Sequence, residues 1–151
     1  MCPNIEKDLG IAAANYIRNG LKFFLDDGSI MLDETLITAD QLLSYLNNMN
    51  QNIQFTMETS HEKIPFLDVL IILTKDLKNT NLYHVSTDIY HKPTDTFSYF
   101  PFTSCAPRHI SRNIPYNLAR RVMTIVSDQS TREKRFDDLK LRLLAKNIQL
   151  I

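Results

Sequence analysis

The chain has 151 residues, 44% of them apolar and 23% charged, which excludes an intrinsically disordered segment and leaves room for one domain or two small ones. Seventeen basic and seventeen acidic residues cancel, so the whole-chain charge singles out no partner. Cys2 and Cys105 are too few for a disulfide framework, and the longest apolar run, Val69 to Leu73, is far too short to cross a bilayer. With no basic-then-apolar leader after Met1, the expectation is a soluble intracellular protein with no membrane partner.

Charge is nevertheless segregated along the chain. Residues 1–90 carry 6 basic and 12 acidic residues, whereas residues 91–151 carry 11 basic and 5 acidic. An acidic front and a basic back suggest two jobs.

In chain order, Ile5, Leu9, Ala12, Ala13, Tyr16 and Ile17 recur at helical spacing, with Asn4 as N-cap and Gly20 placed to stop the helix. Strands near residues 21–25 and 29–33 then flank Asp27-Gly28, a strong signal for a type I′ turn because both residues tolerate positive φ. Thr38 and Gln41 form a capping-box pattern ahead of the apolar stripe Leu42, Leu46 and Met49, predicting a helix over about 39–48. Ile53, Phe55 and Met57 alternate with polar residues and read as a half-buried strand. The apolar run 64–73 around Asp68, and the alternating run 82–90 after the turn residues Asn79-Thr80-Asn81, read as paired strands. Pro93 ends the sheet, since it offers no backbone donor. From Asn113 the pattern is helical, with Pro115 in the first turn and Leu118, Val122 and Ile125 as the stripe. After the break at Asp128-Gln129-Ser130, Ser130 with Glu133 repeats the capping box, and Phe136, Leu139, Leu143 and Leu144 give the last helix its buried face. Two helices with a brief connector make a helix-turn-helix in the loose sense.

The aromatic-x-Asp-Asp turn admits two readings: an ordinary hairpin reversal, or a mount for carboxylates that hold catalytic metal ions in phosphoryl transfer. The order helix, carboxylate hairpin, helix, strands and basic helical tail resembles the second half of a reverse transcriptase palm followed by its thumb. Phe24-Leu25-Asp26-Asp27-Gly28 looks like the catalytic motif of those enzymes. Ile53 to Glu58, Ile64-Pro65-Phe66-Leu67-Asp68-Val69, Tyr90-His91-Lys92-Pro93-Thr94-Asp95-Thr96, Ser104-Cys105 and Arg112-Asn113-Ile114-Pro115-Tyr116 resemble successive blocks of the Penelope-like retroelement reverse transcriptases. The last block also resembles the helix-turn-helix tail of such polymerases.

The resemblance implies an α+β fold, a partial palm of antiparallel strands with two helices followed by a helix-turn-helix-like tail. It divides the chain into a partial palm (1–92), a connection (93–112) and a helical tail (113–151). It makes Asp26 a metal ligand and Asp27 its neighbour, with Mg²⁺ or Mn²⁺ as the cofactor of the intact polymerase, an RNA/DNA template-primer and the upstream part of the polymerase as partners, and a nuclear location. The family's further metal-binding aspartate and its fingers would precede the first helix, so polymerase activity is not expected from this polypeptide alone. Ala106 departs from the histidine usual before the proline. A palm without its leading strand would leave a sheet edge open to self-association.

A second reading is a non-catalytic nucleic-acid-binding module or a decayed relic; the basic tail alone is equally a solvated face, and the resemblance to a helix-turn-helix tail is what favours nucleic-acid contact. Arg108, His109, Arg112, Arg120, Arg121, Arg132, Lys134 and Arg135 fall on the two terminal helices and their approach, where Lys and Arg neutralise phosphate without regard to sequence. Lys92 is either a phosphate contact or a solvated strand end. Phe97, Tyr99 and Phe102 either stack on bases or form a mini-core. Phe24 is expected to pack in its strand, and Phe66, Leu67 and Val69 in the sheet core.

Overall fold

The computed structural model describes residues 9–76, 82–99, 105 and 107–146. Among them the chain is α+β, with four helices, a two-stranded and a three-stranded antiparallel sheet, and a helical end. It divides into two compact units, Met1–Thr59 and Ser60–Ile151. Asn4, Ile5, the turn residues Asn79 to Asn81, residues 100–104 and Ala106 lie outside the described residues.

In the first unit, helix α1 (Ile11–Gly20) starts at Gly10, whose φ of 85° and ψ of 156° are open to glycine alone, and this breaks the longer helix expected from Ile5 onward. It stops as predicted after Gly20, where Leu21 turns extended and its N–H bonds to the Ile17 carbonyl. Ala13 and Ile17 pack with Ile37 and Leu42 to form the core, flanked by Leu21, Ile30, Leu32 and Met57.

Strands β1 (Lys22–Phe24) and β2 (Asp27–Ser29) pair with Phe24 opposite Asp27 and Phe23 opposite Gly28. The reversal is therefore Leu25-Asp26, not Asp27-Gly28. Gly28 lies in the strand under the Phe23 ring, where an added Cβ would come within 2.9 Å of a ring carbon. The missing side chain serves a cross-strand ring, and Leu25 takes the positive φ (56°) that the tight loop demands.

Helix α2 (Ala39–Met49) carries the expected capping box: the Gln41 N–H donates to Thr38 Oγ1 (3.3 Å) and the Thr38 N–H to Gln41 Oε1 (3.0 Å). The strand expected at Ile53, Phe55 and Met57 does not form. Asn47 stands in for a partner strand, accepting from the Phe55 N–H at 2.6 Å and donating to its carbonyl at 3.2 Å.

In the second unit, β3 (Lys63–Phe66), β4 (Val69–Lys75) and β5 (Tyr83–Ile89) form a meander in the order β3-β4-β5. The apolar run 64–73 is thus two strands, reversed at Leu67-Asp68 with Phe66 opposite Val69. Leu67 has φ 55°, so the word Phe-Leu-Asp makes the same two-residue reversal in both sheets. Pro65 and Lys63 lie on edge strand β3, residue types that discourage further strand addition.

Helix α3 (Arg108–Ile125) begins five residues ahead of Asn113, and Pro115 is a buried interior residue, not a first-turn one. Its N–H is missing from the helix ladder, a loss tolerated inside a packed face. Helix α4 (Gln129–Ala145) is capped by Asp128, not Ser130. Val122, Val126 and β5 Ile89 form the core here, with Ile125, Phe136 and Leu139 against them. Leu143 is buried as expected, but Leu144 is exposed. No helix among the described residues is long and apolar enough to cross a membrane.

A leucine at positive φ costs roughly 1–2 kcal/mol, partly offset by the extra chain entropy that glycine would lose. Leu25→Gly should therefore stabilise the first unit by about 0.5–1 kcal/mol. Leu25→Val, branched at Cβ, should destabilise it. Thermal unfolding of the two variants must move in opposite directions if the loop geometry is right.

Candidate nucleic-acid interface

The connector Val126-Ser127-Asp128 holds α3 and α4 together and fastens both to the sheet. The Ser127 N–H donates to the Thr87 carbonyl (3.1 Å), the Thr87 N–H donates to Ser127 Oγ (2.9 Å), and the Thr87 hydroxyl bonds to the Ile125 carbonyl. The helix connector thereby pairs with the outer edge of β5. Arg132 reaches back from α4 to close the end of α3, donating to the Val126 carbonyl from Nη2 (2.7 Å) and Nε (3.1 Å). Those are carbonyls that a helix end leaves without an internal partner.

Asp88 on β5 is the one buried charged residue among those described, at 6% exposure. Arg135 grips it with both arms of its guanidinium, Nε to Oδ1 at 3.0 Å and Nη2 to Oδ2 at 2.6 Å, and also reaches Asp138 at 3.3 Å. The Arg135 hydrogen bonds hold the Asp88 carboxyl below the ordinary carboxylate range, against burial, which pushes it up. Beside this pair, Arg142 lies over the Phe97 ring at 3.8 Å and bonds to His91 Nε2 at 3.2 Å. Burial first, then the Arg142 charge, lower the His91 pKa, which favours the neutral ring that accepts this bond. Phe97 meets His91 edge to face at 4.8 Å, so it packs as a small core, and Phe102 lies outside the described residues.

These contacts sort the predicted basic residues. Arg121, Arg132 and Arg135 are engaged within the fold, Arg121 with Asp68 at 2.9 Å. Arg108, Arg112, Arg120, Lys134 and Lys92 are exposed, and their side chains have no ion pair or hydrogen bond among the described residues. Asp68, in the reversal between β3 and β4, is an exposed ion-pair partner of Arg121. Reading by composition missed Arg142 and the Thr87–Ser127 latch, because neither residue type nor spacing announces them.

Asp26 and Asp27 are both exposed at the tip of the first hairpin. Phe24 beside them is 57% exposed, and Leu67 is a 40% exposed loop residue, so neither is the packed side chain expected. Among the described residues no group of three or more His, Cys, Asp or Glu side chains converges. The two aspartates do not by themselves make a two-metal centre.

Two helices joined by a three-residue connector, with free arginines on the outer side, define a helix-turn-helix unit. Residues 98–147 match the family model of the animal helix-turn-helix domain. Comparisons with curated proteins and with solved structures find no match.

The ion-paired and the free arginines should behave oppositely. Arg135→Ala strands the Asp88 carboxylate and should cost about 3 kcal/mol, the low end for a buried pair because Arg135 is a third exposed. Arg112→Ala should stay within about 0.5 kcal/mol. Urea midpoints measure both.

Acid should act in a defined window. The Asp128 carboxyl is drawn from 3.8 down to about 2, first by the Ser130 hydroxyl and then by the Thr131 N–H and hydroxyl. A depressed carboxyl stabilises the folded state above its ordinary value, and that contribution disappears as pH falls from about 4 through about 2. Asp128→Asn should flatten the loss of folded signal across that window in an acid titration.

Proposed function

We propose that the second unit is a non-catalytic nucleic-acid-binding module of the helix-turn-helix type. The observation that carries this reading is the match of residues 98–147 to the animal helix-turn-helix domain. Its physical support is a set of arginines, Arg108, Arg112 and Arg120, whose side chains have no ion pair or hydrogen bond among the described residues. Phosphate contacts of this kind release counterions and give affinity that falls with salt. Arg132 and Arg135 support the site by holding the helices in place, and Arg121 by tying α3 to the Asp68 loop.

A second reading belongs to the hairpin. Asp26 and Asp27 stand exposed between two antiparallel strands. This favours the late palm of a Penelope-like reverse transcriptase, partitioned at 1–92, 93–112 and 113–151, located in the nucleus and acting on a template-primer with Mg²⁺ or Mn²⁺ held partly by Asp26. It requires further carboxylates beyond those described.

Two measurements separate the readings. On a labelled oligonucleotide, Arg112→Ala with Arg120→Ala should lower the slope of log affinity against log salt by roughly two contacts' worth, and Asp26→Asn should change nothing. Wild-type affinity that does not fall with salt contradicts the binding module. Template-directed primer extension that Asp26→Asn abolishes is what the polymerase reading demands.

A further inference from the structure

The binding reading leaves open which helix meets the nucleic acid. In helix-turn-helix proteins the second helix ordinarily enters the groove. The second helix here is poorly suited to that. Its first turn is occupied by the Asp128 carboxylate, which accepts from the Thr131 N–H at 2.7 Å and stays ionised down to about pH 2. A phosphate approaching that helix end would meet a fixed negative charge. Farther along, Glu133 and Asp137 offset Lys134 and Lys140 on the exposed side, and exposed Leu141 and Leu144 complete it.

Helix α3 is the opposite case. Its eighteen residues include no Asp or Glu. Arg108, Arg112, Tyr116 and Arg120 recur at every fourth position, so they drift slowly along one side of the helix over about 18 Å. All four are exposed, and none of the arginines has a partner among the described residues. Tyr116, 65% exposed among the described residues, stands between two arginines and offers a flat ring surface. Met123, 54% exposed, lies on the same side of the helix about two turns farther on. Cations that follow a backbone, interrupted by an aromatic on which a base can lie, are the chemistry that holds single strands.

Resting on the binding reading above, we infer that α3, the first helix of the pair, docks a single-stranded nucleic acid along the stripe Arg108, Arg112, Tyr116 and Arg120, with Tyr116 stacking on an unpaired base. The arginines set the affinity and its salt dependence. Tyr116 sets the preference for an unpaired strand over a duplex, because the bases of a duplex already stack on one another.

The test uses the full chain and a fluorescent oligothymidylate, with a duplex of equal length as comparison, over a salt series. The wild type should prefer the single strand. Arg112→Ala with Arg120→Ala should lower the salt slope by about 1.4, at about 0.7 per single-strand phosphate contact. Tyr116→Ala should weaken binding about tenfold without altering the slope, and Tyr116→Phe should retain it. Lys134→Ala with Lys140→Ala on α4 should bind like the wild type. All the substituted positions are exposed, and unchanged thermal unfolding verifies that each variant is folded. If the α4 pair loses binding while the α3 variants keep it, or if duplex binds better and Tyr116→Ala matches the wild type, the inference fails while the binding module survives. If the wild type binds neither oligonucleotide, both fail together.

Discussion

The Asp88–Arg135 pair is the contact on which the second unit depends. A carboxylate at 6% exposure on a sheet strand is tenable only with a full set of donors, and it has them in two guanidinium nitrogens and the Ile89 N–H. Because the donor sits on α4 and the acceptor on β5, the pair fixes the angular position of that helix on the sheet. The neighbouring Thr87–Ser127 latch fixes the connector, and Arg132 closes the end of α3. With three such ties the helix pair has little freedom to slide. The helix-turn-helix is accordingly an extension of the meander, and two residues that hold it, Thr87 and Asp88, precede the segment that matches the domain family.

That arrangement explains a division among the arginines. Those that face the sheet or the connector, Arg121, Arg132, Arg135 and Arg142, each find a carboxylate, a carbonyl or a ring. Arg108, Arg112 and Arg120 on α3 find none among the described residues, and that helix has no acidic residue to offer. The same residue type therefore does two kinds of work: geometry inside, charge outside.

What sequence could disclose follows the reach of each interaction. The Thr38–Gln41 capping box was legible because all of its atoms lie within one turn, and so was the end of α1 at Gly20. At the start of α4 the capping-box pattern pointed to Ser130, two residues past the actual cap. Asp128 prevailed because a carboxylate accepts from the Thr131 N–H and the Ser130 hydroxyl together, which makes Ser130 a donor to the cap and not the cap. Alternation at Ile53, Phe55 and Met57 described half of a ladder, but no periodicity reports whether a second strand arrives, and Asn47 took that place. Asp27-Gly28 carried the right turn chemistry, yet the Phe23 ring needed the glycine more than the turn did. In each miss a contact from elsewhere overrode a sound local preference.

The candidate interface follows the same rule with more consequence. A run of basic residues identifies the end of the chain that carries positive charge, but not which charges remain available. Arg135 and Arg112 count alike as basic residues, and the carboxylate that takes up Arg135 most fully, Asp88, lies 47 residues ahead of it. Neutralising an arginine inside lowers its value to a polyanion twice over: the local field is already cancelled, and the planar donors are already bonded. An exposed arginine on an acid-free helix keeps both. Helix α3 thus offers its charge at almost no cost to the fold, since Arg108, Arg112 and Arg120 hold no ion pair or hydrogen bond among the described residues that their loss would break. Substitution of the outward stripe should consequently alter binding and leave folding intact, which is the property that makes a surface free to change partners without losing its scaffold.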